Sequence, residues 1–339
     1  MQRVLNLMRE AGARPAHEKR LLRAWLAGRA LRSATTARDL QFPRTLLEAL
    51  PAIESHLNAH VRIESEHPGS DGSLRFLLAL HDQKTVESVL LPRDGLCISS
   101  QVGCAVGCVF CMTGRAGLLR QLTSAEMVAQ VAAGRRHRPV RRVVFMGMGE
   151  PSHNLTNVLE AITVLGTHGD IGHKNLVFST VGDPRLFERL LANPVKPALA
   201  ISLHTTDVAL RAQLVPRGPR FEPAELIALA DDYGNAVGYP VMYQWTLIEG
   251  VNDTDAELER LTELMQGRYG IVNLIPYNTV EDLPYKRPPT ERARKMSQHL
   301  HQHGVLCKLR RSAGQDVEGA CGQLRARSLP ERAAIATDA

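Results

Sequence analysis

A chain of 339 residues that is 44% hydrophobic and 22% charged, with a formal net charge of +6, is neither disordered nor fibrous. Its length accommodates roughly two domains of about 150 residues, or one large α/β unit with appendages. No apolar run reaches the roughly 18 residues that suggest a bilayer span.

The first residues, MQRVLNLMREAGARP, carry charges inside their apolar stretch and offer no small-residue cleavage site, so they do not read as a secretory signal. The expectation is a cytoplasmic protein. Residues 1–35 hold Arg3, Arg9, Arg14, Lys19, Arg20, Arg23, Arg29 and Arg32 against Glu10 and Glu18, an excess of six that equals the charge of the whole chain. Leu21, Leu22, Trp25 and Leu26 recur at helical spacing, which predicts an amphipathic helix with a basic outer face. Two further basic clusters follow, Arg135 to Arg142 and Lys286 to Arg311. Such clustering suits a polyanion, nucleic acid first, although a merely solvated face gives the same pattern.

The runs 74–82 and 86–92 predict a hairpin. Strand-like runs then follow at 96–100, 142–147, 176–180, 198–204, 241–248 and 271–276, with 305–310 as a seventh. Helical patterns at 123–136, 154–165, 222–237, 255–266 and 290–303 lie between them. Strands alternating with helices predict βαβ units and a parallel sheet, open or barrel-like, with function at the carboxyl ends of the strands. GMGEP (147–151), Ser179, His204 and Asn278 fall at those ends.

Cys104, Cys108 and Cys111 are spaced C-x3-C-x2-C after a predicted strand. Three thiolates suit a soft metal; a zinc loop completed from elsewhere, or three buried thiols, are the alternatives to an iron-sulfur cluster with one open iron. His153, His168 and His173 match no ligand spacing, and Cys307 in VLCKLR reads as a buried small hydrophobe. No GxGxxG follows a strand, so a Rossmann-type nucleotide site is not indicated.

The flanks narrow the choice. CISSQVGC, Phe110, CMTG and GMGEP together resemble the radical S-adenosylmethionine (SAM) superfamily. FMGMGEPSHNLTNVLEAI, LAISLHTTD, LIEGVND, NLIPYN and DVEGACGQL further resemble, in order and spacing, the RlmN/Cfr family of RNA adenine methyltransferases. The resemblance implies a partial (β/α)6 barrel in an α/β fold, arranged as a basic helical domain that contacts RNA (1–70), a β-hairpin extension (71–94), the barrel (95–311) and a C-terminal segment bearing a catalytic cysteine (312–339).

By the same resemblance, Cys104, Cys108 and Cys111 hold one 4Fe-4S cluster, and two SAM molecules are used per turnover. Gly149, Glu150, Ser179, Ser202, Leu203, His204 and Asn278 contact SAM. Cys321 carries a methyl group as S-methylcysteine and becomes linked to RNA, and Cys97 resolves that adduct, leaving a disulfide as a turnover state. Glu87 serves as the base for the ring proton. The implied substrate is carbon 2 of an adenosine in 23S rRNA, with tRNA as a second target, and carbon 8 methylation, or a non-catalytic metal-stabilised RNA-binding module, are the alternatives. The implied electron donor is a flavodoxin or ferredoxin, and the implied state is a monomer without membrane attachment.

Overall fold

The alternation that begins at Leu96 becomes one continuous sheet because each apolar run finds its neighbour through a helical crossover. In the computed structural model, which describes residues 1–36, 41–280 and 283–327, three helices come first: α1 (Gln2–Glu10), α2 (Pro15–Leu26) and α3 (Arg44–Asn58). Strands β1 (Val61–Pro68), β2 (Leu74–Leu80), β3 (Thr85–Leu90) and β4 (Gly95–Cys97) follow, then a two-stranded ribbon of β5 (Gln101–Gly103) and β6 (Leu118–Gln121). The rest runs α4 (Ser124–Arg135), β7 (Arg142–Phe145), α5 (Leu155–Thr167), β8 (Leu176–Thr180), α6 (Pro184–Ala192), β9 (Ala198–Ser202), α7 (Val208–Leu214) and α8 (Pro223–Val237). It ends with β10 (Val241–Leu247), α9 (Asp255–Met265), β11 (Gly270–Pro276), α10 (Thr290–Gln302) and β12 (Cys307–Leu309).

The main sheet has the order β1-β2-β3-β4-β7-β8-β9-β10-β11-β12. From β4 to β12 every pairing is parallel and the strands stand in sequence order, the arrangement of a barrel that has not closed. The three antiparallel strands β1 to β3 extend the β4 edge. This is the mixed α/β architecture anticipated above, with β12 as the seventh parallel strand. Residues 61–68, grouped above with the N-terminal helices, form β1. Its sequence VRIESEHP is charged and half exposed, as an edge strand resistant to further pairing must be, and so lacks the apolar signature of a strand.

The two faces of the sheet differ. On β10, Val241, Tyr243, Trp245 and Leu247 are at most 1% exposed and join the large core beneath the helices. The alternate residues Gln244 and Thr246 line a cavity, because successive strand side chains face opposite ways. Val177, Ala198 and Ala200, packed with Val144, Met146 and Met242, form a separate small cluster of slim side chains. A third apolar cluster gathers around the cysteine loop.

The N-terminal helices are fastened to this barrel by arginine. Leu21, Leu22, Trp25 and Leu26 are buried, while Arg3, Arg9, Lys19, Arg23, Arg29 and Arg32 are exposed, so the predicted basic face exists. Arg135 bonds the carbonyls of Leu26 (3.1 Å), Gly169 (2.7 Å) and Val140 (2.7 Å), and Arg138 bonds those of Gly72 and Leu91. Part of the second basic cluster is therefore committed to backbone carbonyls rather than to solvent. Among the described residues, no helix is long and apolar enough to cross a membrane. The last residues of the C-terminal segment, 328–339, lie outside the described residues.

Candidate active site

The three closely spaced cysteines lie on the loop between β5 and β6, a path that only glycine permits at its pinch points. Gly103 has φ +77°, and a Cβ there would stand 2.0 Å from the Gly117 oxygen; at Gly114 it would stand 2.7 Å from the Gly107 Cα. The Cys104 amide donates to Gly117 (3.0 Å) and the Cys111 amide to Cys108 (3.0 Å). Val106, Phe110, Met112, Val181, Leu214, Val215 and Ile248 pack around them.

Burial in this shell pushes the Cys104 thiol up to about 12 and raises Cys108 and Cys111 too, with the mutual repulsion of the thiols adding to Cys104 and Cys108. Thiolates here thus require a compensating cation. Among the described residues, no group of three or more His, Cys, Asp or Glu side chains is arranged to hold a single metal ion. The donor set is sulfur alone, in an apolar shell, and no imidazole or carboxylate completes a zinc tetrahedron. An iron-sulfur cluster, whose iron atoms each take a separate thiolate, is the group these residues fit.

The GMGEP turn is locked to the CISSQVGC segment by buried polar side chains. Gly149 has φ +103°, and a Cβ there would stand 2.5 Å from the Gln101 Cβ, so the close approach it permits is to Gln101. Gln101 accepts from the Glu150 amide (2.7 Å), and Ser99 Oγ accepts from the Met148 amide (2.8 Å) while donating to the Glu87 carbonyl (2.6 Å). Gln130, on α4 and 1% exposed, accepts from Ser88 Oγ (2.7 Å) and the Ser99 amide (2.9 Å), and donates to the Ser99 carbonyl (2.9 Å). Replacing Gln130 with leucine leaves these groups unpaired, and a loss of about 2 to 3 kcal/mol is expected in urea unfolding. An unchanged midpoint would contradict this account of the locked turn.

Ten of the residues expected in the site line one cavity: Cys104, Cys108, Cys111, Gly149, Glu150, Ser179, Ser202, His204, Asn278 and Cys321. Glu150 accepts from the Ser152 amide (3.0 Å) and the Val181 amide (3.1 Å), which leaves its carboxylate further lone pairs for a ligand. His204 Nδ1 accepts from the Thr246 amide (3.1 Å), so the neutral ring carries its proton on Nε2. Burial, with Arg211 adding its charge, lowers this ring to about 3, so it is neutral at physiological pH. Its edge meets Phe110, with ring centroids 4.8 Å apart. Leu203 does not line the cavity; its side chain is fully buried and its amide donates to the Gln244 carbonyl (3.0 Å).

Two supporting residues escaped the sequence reading. Asn252, fully buried, donates to the carbonyls of His204 (2.7 Å) and Thr246 (2.7 Å) and accepts from the Ile248 amide (2.8 Å), fixing the ends of β9 and β10. Arg211, 3% exposed, donates to the Val181 carbonyl (2.6 Å) and places a cation near Cys108 and Glu150. Asn252 belongs to the quoted LIEGVND motif, a usable signal; Arg211 had none beyond lying after LHTTD.

The remaining thiols converge from distant parts of the chain. Cys97 ends β4, and burial followed by repulsion from the neighbouring Cys321 thiol holds it well above the usual thiol range. Cys321, at the cavity mouth, is raised by desolvation and by Cys111, while Arg310 opposes the rise. All six cysteines are free thiols in this state. Cys307 is buried, as anticipated. Asn278 donates to the Cys321 carbonyl (3.0 Å) and to Ser312 Oγ (2.9 Å), so its amide supports the C-terminal segment. Glu87 stands apart from the cavity lining. It is fully buried and ion-paired with Arg75, and its Oε2 accepts from the Arg325 (2.8 Å) and Ala326 (3.0 Å) amides.

The profile of the radical SAM superfamily matches residues 98–262. A "Probable RNA methyltransferase" of Methylibium petroleiphilum is 64% identical over 95% of this chain and 91% of its own. Another of Dechloromonas aromatica is 56% identical over 100% of this chain and 95% of its own. The chain belongs to the RlmN/Cfr-like family of radical SAM proteins. The crystal structure of a radical SAM methyltransferase from Sphaerobacter thermophilus superposes with a TM-score of 0.77 at 36% identity, covering 87% of this chain and 88% of that one. Radical SAM proteins in general use a 4Fe-4S cluster and SAM, and in this RlmN/Cfr-like chain the three-cysteine loop adjoins the cavity described above.

Proposed function

We propose that this protein is an RNA methyltransferase that methylates carbon 2 of an adenosine, in 23S rRNA and in tRNA, through a methyl group carried on Cys321. One observation carries the reading: Cys321, from the C-terminal segment, lines the cavity with the three-cysteine loop, and it lies near enough to Cys97 at the end of β4 for its charge to act on that thiol. A module that only binds RNA has no use for two further thiols there. The family likeness and the names of the relatives support the substrate class.

When bound, the cluster and two SAM molecules per turnover would supply the carrier's methyl group, the one-electron chemistry that activates it and the acceptor for the single electron that the ring adduct gives up as its proton leaves, with a flavodoxin or ferredoxin as electron source. The chain's own residues do the rest. Gly149, Glu150, Ser179, Ser202 and neutral His204 bind and orient the cofactor, with Glu150 accepting from its ammonium group. Cys321 is the methyl acceptor and, after its methylene carbon bonds the adenine ring, the tether. Glu87 takes the ring proton once the 325–326 amides have lifted from its carboxylate. The Cys97 sulfur then attacks the Cys321 sulfur: the S–S bond forms as the S–C bond breaks, and the methylene carbon takes up a proton to become the product methyl. The resulting disulfide is reduced before the next turnover, which suits a cytoplasmic monomer.

The exposed cations of α1 and α2 supply a phosphate-binding face for the RNA. Mass spectrometry of total RNA nucleosides from a deletion strain and its parent tests the reading. Loss of 2-methyladenosine is expected; loss of 8-methyladenosine instead would move the reaction to carbon 8, and no change in either would refute the assignment.

A further inference from the structure

Residues 312–327 contain only one short 3-10 turn, yet Cys321 needs a defined place within them. They are held from several sides: Asn278 donates to the Cys321 carbonyl and to Ser312 Oγ, and three further sets of contacts act along the segment, two of them from the antiparallel extension. Ahead of Cys321, the Gly314 amide donates to Asp71 Oδ2 (3.0 Å) and Asp316 Oδ2 accepts from the Ser70 amide (2.9 Å). Around it, the Met112 amide donates to the Gly322 carbonyl (2.8 Å) and Thr113 Oγ1 to that of Leu324 (2.7 Å), tying the segment to the residues that follow Cys111. Behind it, Glu87 accepts the Arg325 and Ala326 amides, Thr85 Oγ1 donates to the Ala326 carbonyl (3.3 Å) and Arg75 to that of Arg327 (3.2 Å).

The rear anchor is costly in two ways. Arg75 and Glu87 are 1% and 0% exposed, and an ion pair so buried is a poor source of stability, because desolvation of both ions offsets their attraction. Ala326 sits at φ +56°, a conformation that non-glycine residues keep only where the surroundings impose it. What the arrangement does achieve is to aim one carboxylate oxygen at two consecutive amides, four and five residues beyond Cys321.

We propose that Arg75 and Glu87 form a seat on the β2–β3 hairpin that fixes the 312–327 segment in the register bringing Cys321 to Cys97, so that in the resting enzyme both act as positioning residues for the thiol pair. This rests on the reading of Cys321 and Cys97 given under Proposed function. Arg75 holds the Glu87 carboxylate in place and reaches past it to the Arg327 carbonyl.

The test measures how fast the two thiols close on each other, without RNA or SAM. Full-length protein, reconstituted anaerobically with iron and sulfide, is treated with glutathione disulfide, and the Cys97–Cys321 bond is followed by mass spectrometry of unreduced peptides. Two thiols are oxidised as glutathione disulfide is reduced to two glutathione molecules. The variant Arg75→Met with Glu87→Met replaces the ion pair by apolar side chains of similar length, a change buried pairs commonly tolerate. Closure roughly tenfold slower than wild type is expected, because the effective concentration of Cys321 at Cys97 falls when the tether loosens. Arg75→Lys, which keeps the charge, should recover part of the rate.

If the double variant fails to fold, Thr85→Val with Asp71→Ala removes one anchor on each side of Cys321 and should slow closure in the same direction. Closure at the wild-type rate in any folded seat variant overturns the proposal. Wild-type protein that assembles no cluster and cleaves no SAM overturns the functional reading alone, since closure is still measured.

Discussion

Cys97→Ala protein incubated with SAM, reductant and RNA is expected to accumulate a covalent protein–RNA species linked through Cys321, while turnover falls by roughly four orders of magnitude, as when an essential catalytic group is removed. The physical reason is the direction of bond breaking. A thioether carbon joined to an adenine ring leaves sulfur only if another sulfur takes its place, and Cys97 is the thiol whose charge Cys321 neighbours. Denaturing gels with labelled RNA read the adduct, and nuclease digestion followed by mass spectrometry places it. Cys321→Ala must form neither adduct nor product, because no carrier remains. Normal turnover by Cys97→Ala would remove its resolving role, and product from Cys321→Ala would remove the whole carrier mechanism.

Cys108→Ala is expected to abolish both the brown iron-sulfur absorbance after reconstitution and the reductive cleavage of SAM, leaving each at background. Cys108 is buried among apolar side chains and its thiol is held far above the ordinary range, so the site pays for thiolate only in the presence of a metal cation. With the Cys108 sulfur gone, only Cys104 and Cys111 remain on the loop, one thiol short of the three proposed to hold the cluster. The folded state should survive, because the loop's glycine contacts and apolar packing do not depend on that sulfur. Retention of full iron content and SAM cleavage would overturn the assignment of the loop. Loss of both only through unfolding, seen as a collapsed melting transition, would make Cys108 structural.

Much of the barrel was legible because parallel strands buried on both sides must be nearly continuous apolar runs, and each of the seven appeared as one. What escaped were elements whose stability comes from position. β1 is a charged edge strand, and β5 and β6 are three- and four-residue segments that pair only because the cysteine loop closes between them. The site followed the same division. Residues carried by motifs at strand ends, such as Ser179, Ser202 and His204, line the cavity, while the side chain of Leu203 between two of them is buried in the core. Gln130, Arg211 and Asn252 matter through hydrogen bonds to backbone atoms of distant segments, and no local spacing encodes such a bond.

By itself the sequence determined the chemistry available to this protein: six cysteines, three of them spaced as ligands on one loop, and a charge surplus confined to its first 35 residues. These are properties of residue type and short-range spacing. Only the tertiary structure decided which groups meet. It placed Cys321 on the cavity of the three-cysteine loop and near enough to Cys97 to act on its charge, across more than 200 positions of chain, committed Arg135 and Arg138 to carbonyls, and withdrew Glu87 into an ion pair with Arg75 beneath the segment that carries Cys321. The reason is that a buried polar group must find a partner wherever the fold supplies one, and that partner is set by topology rather than by neighbours in the chain.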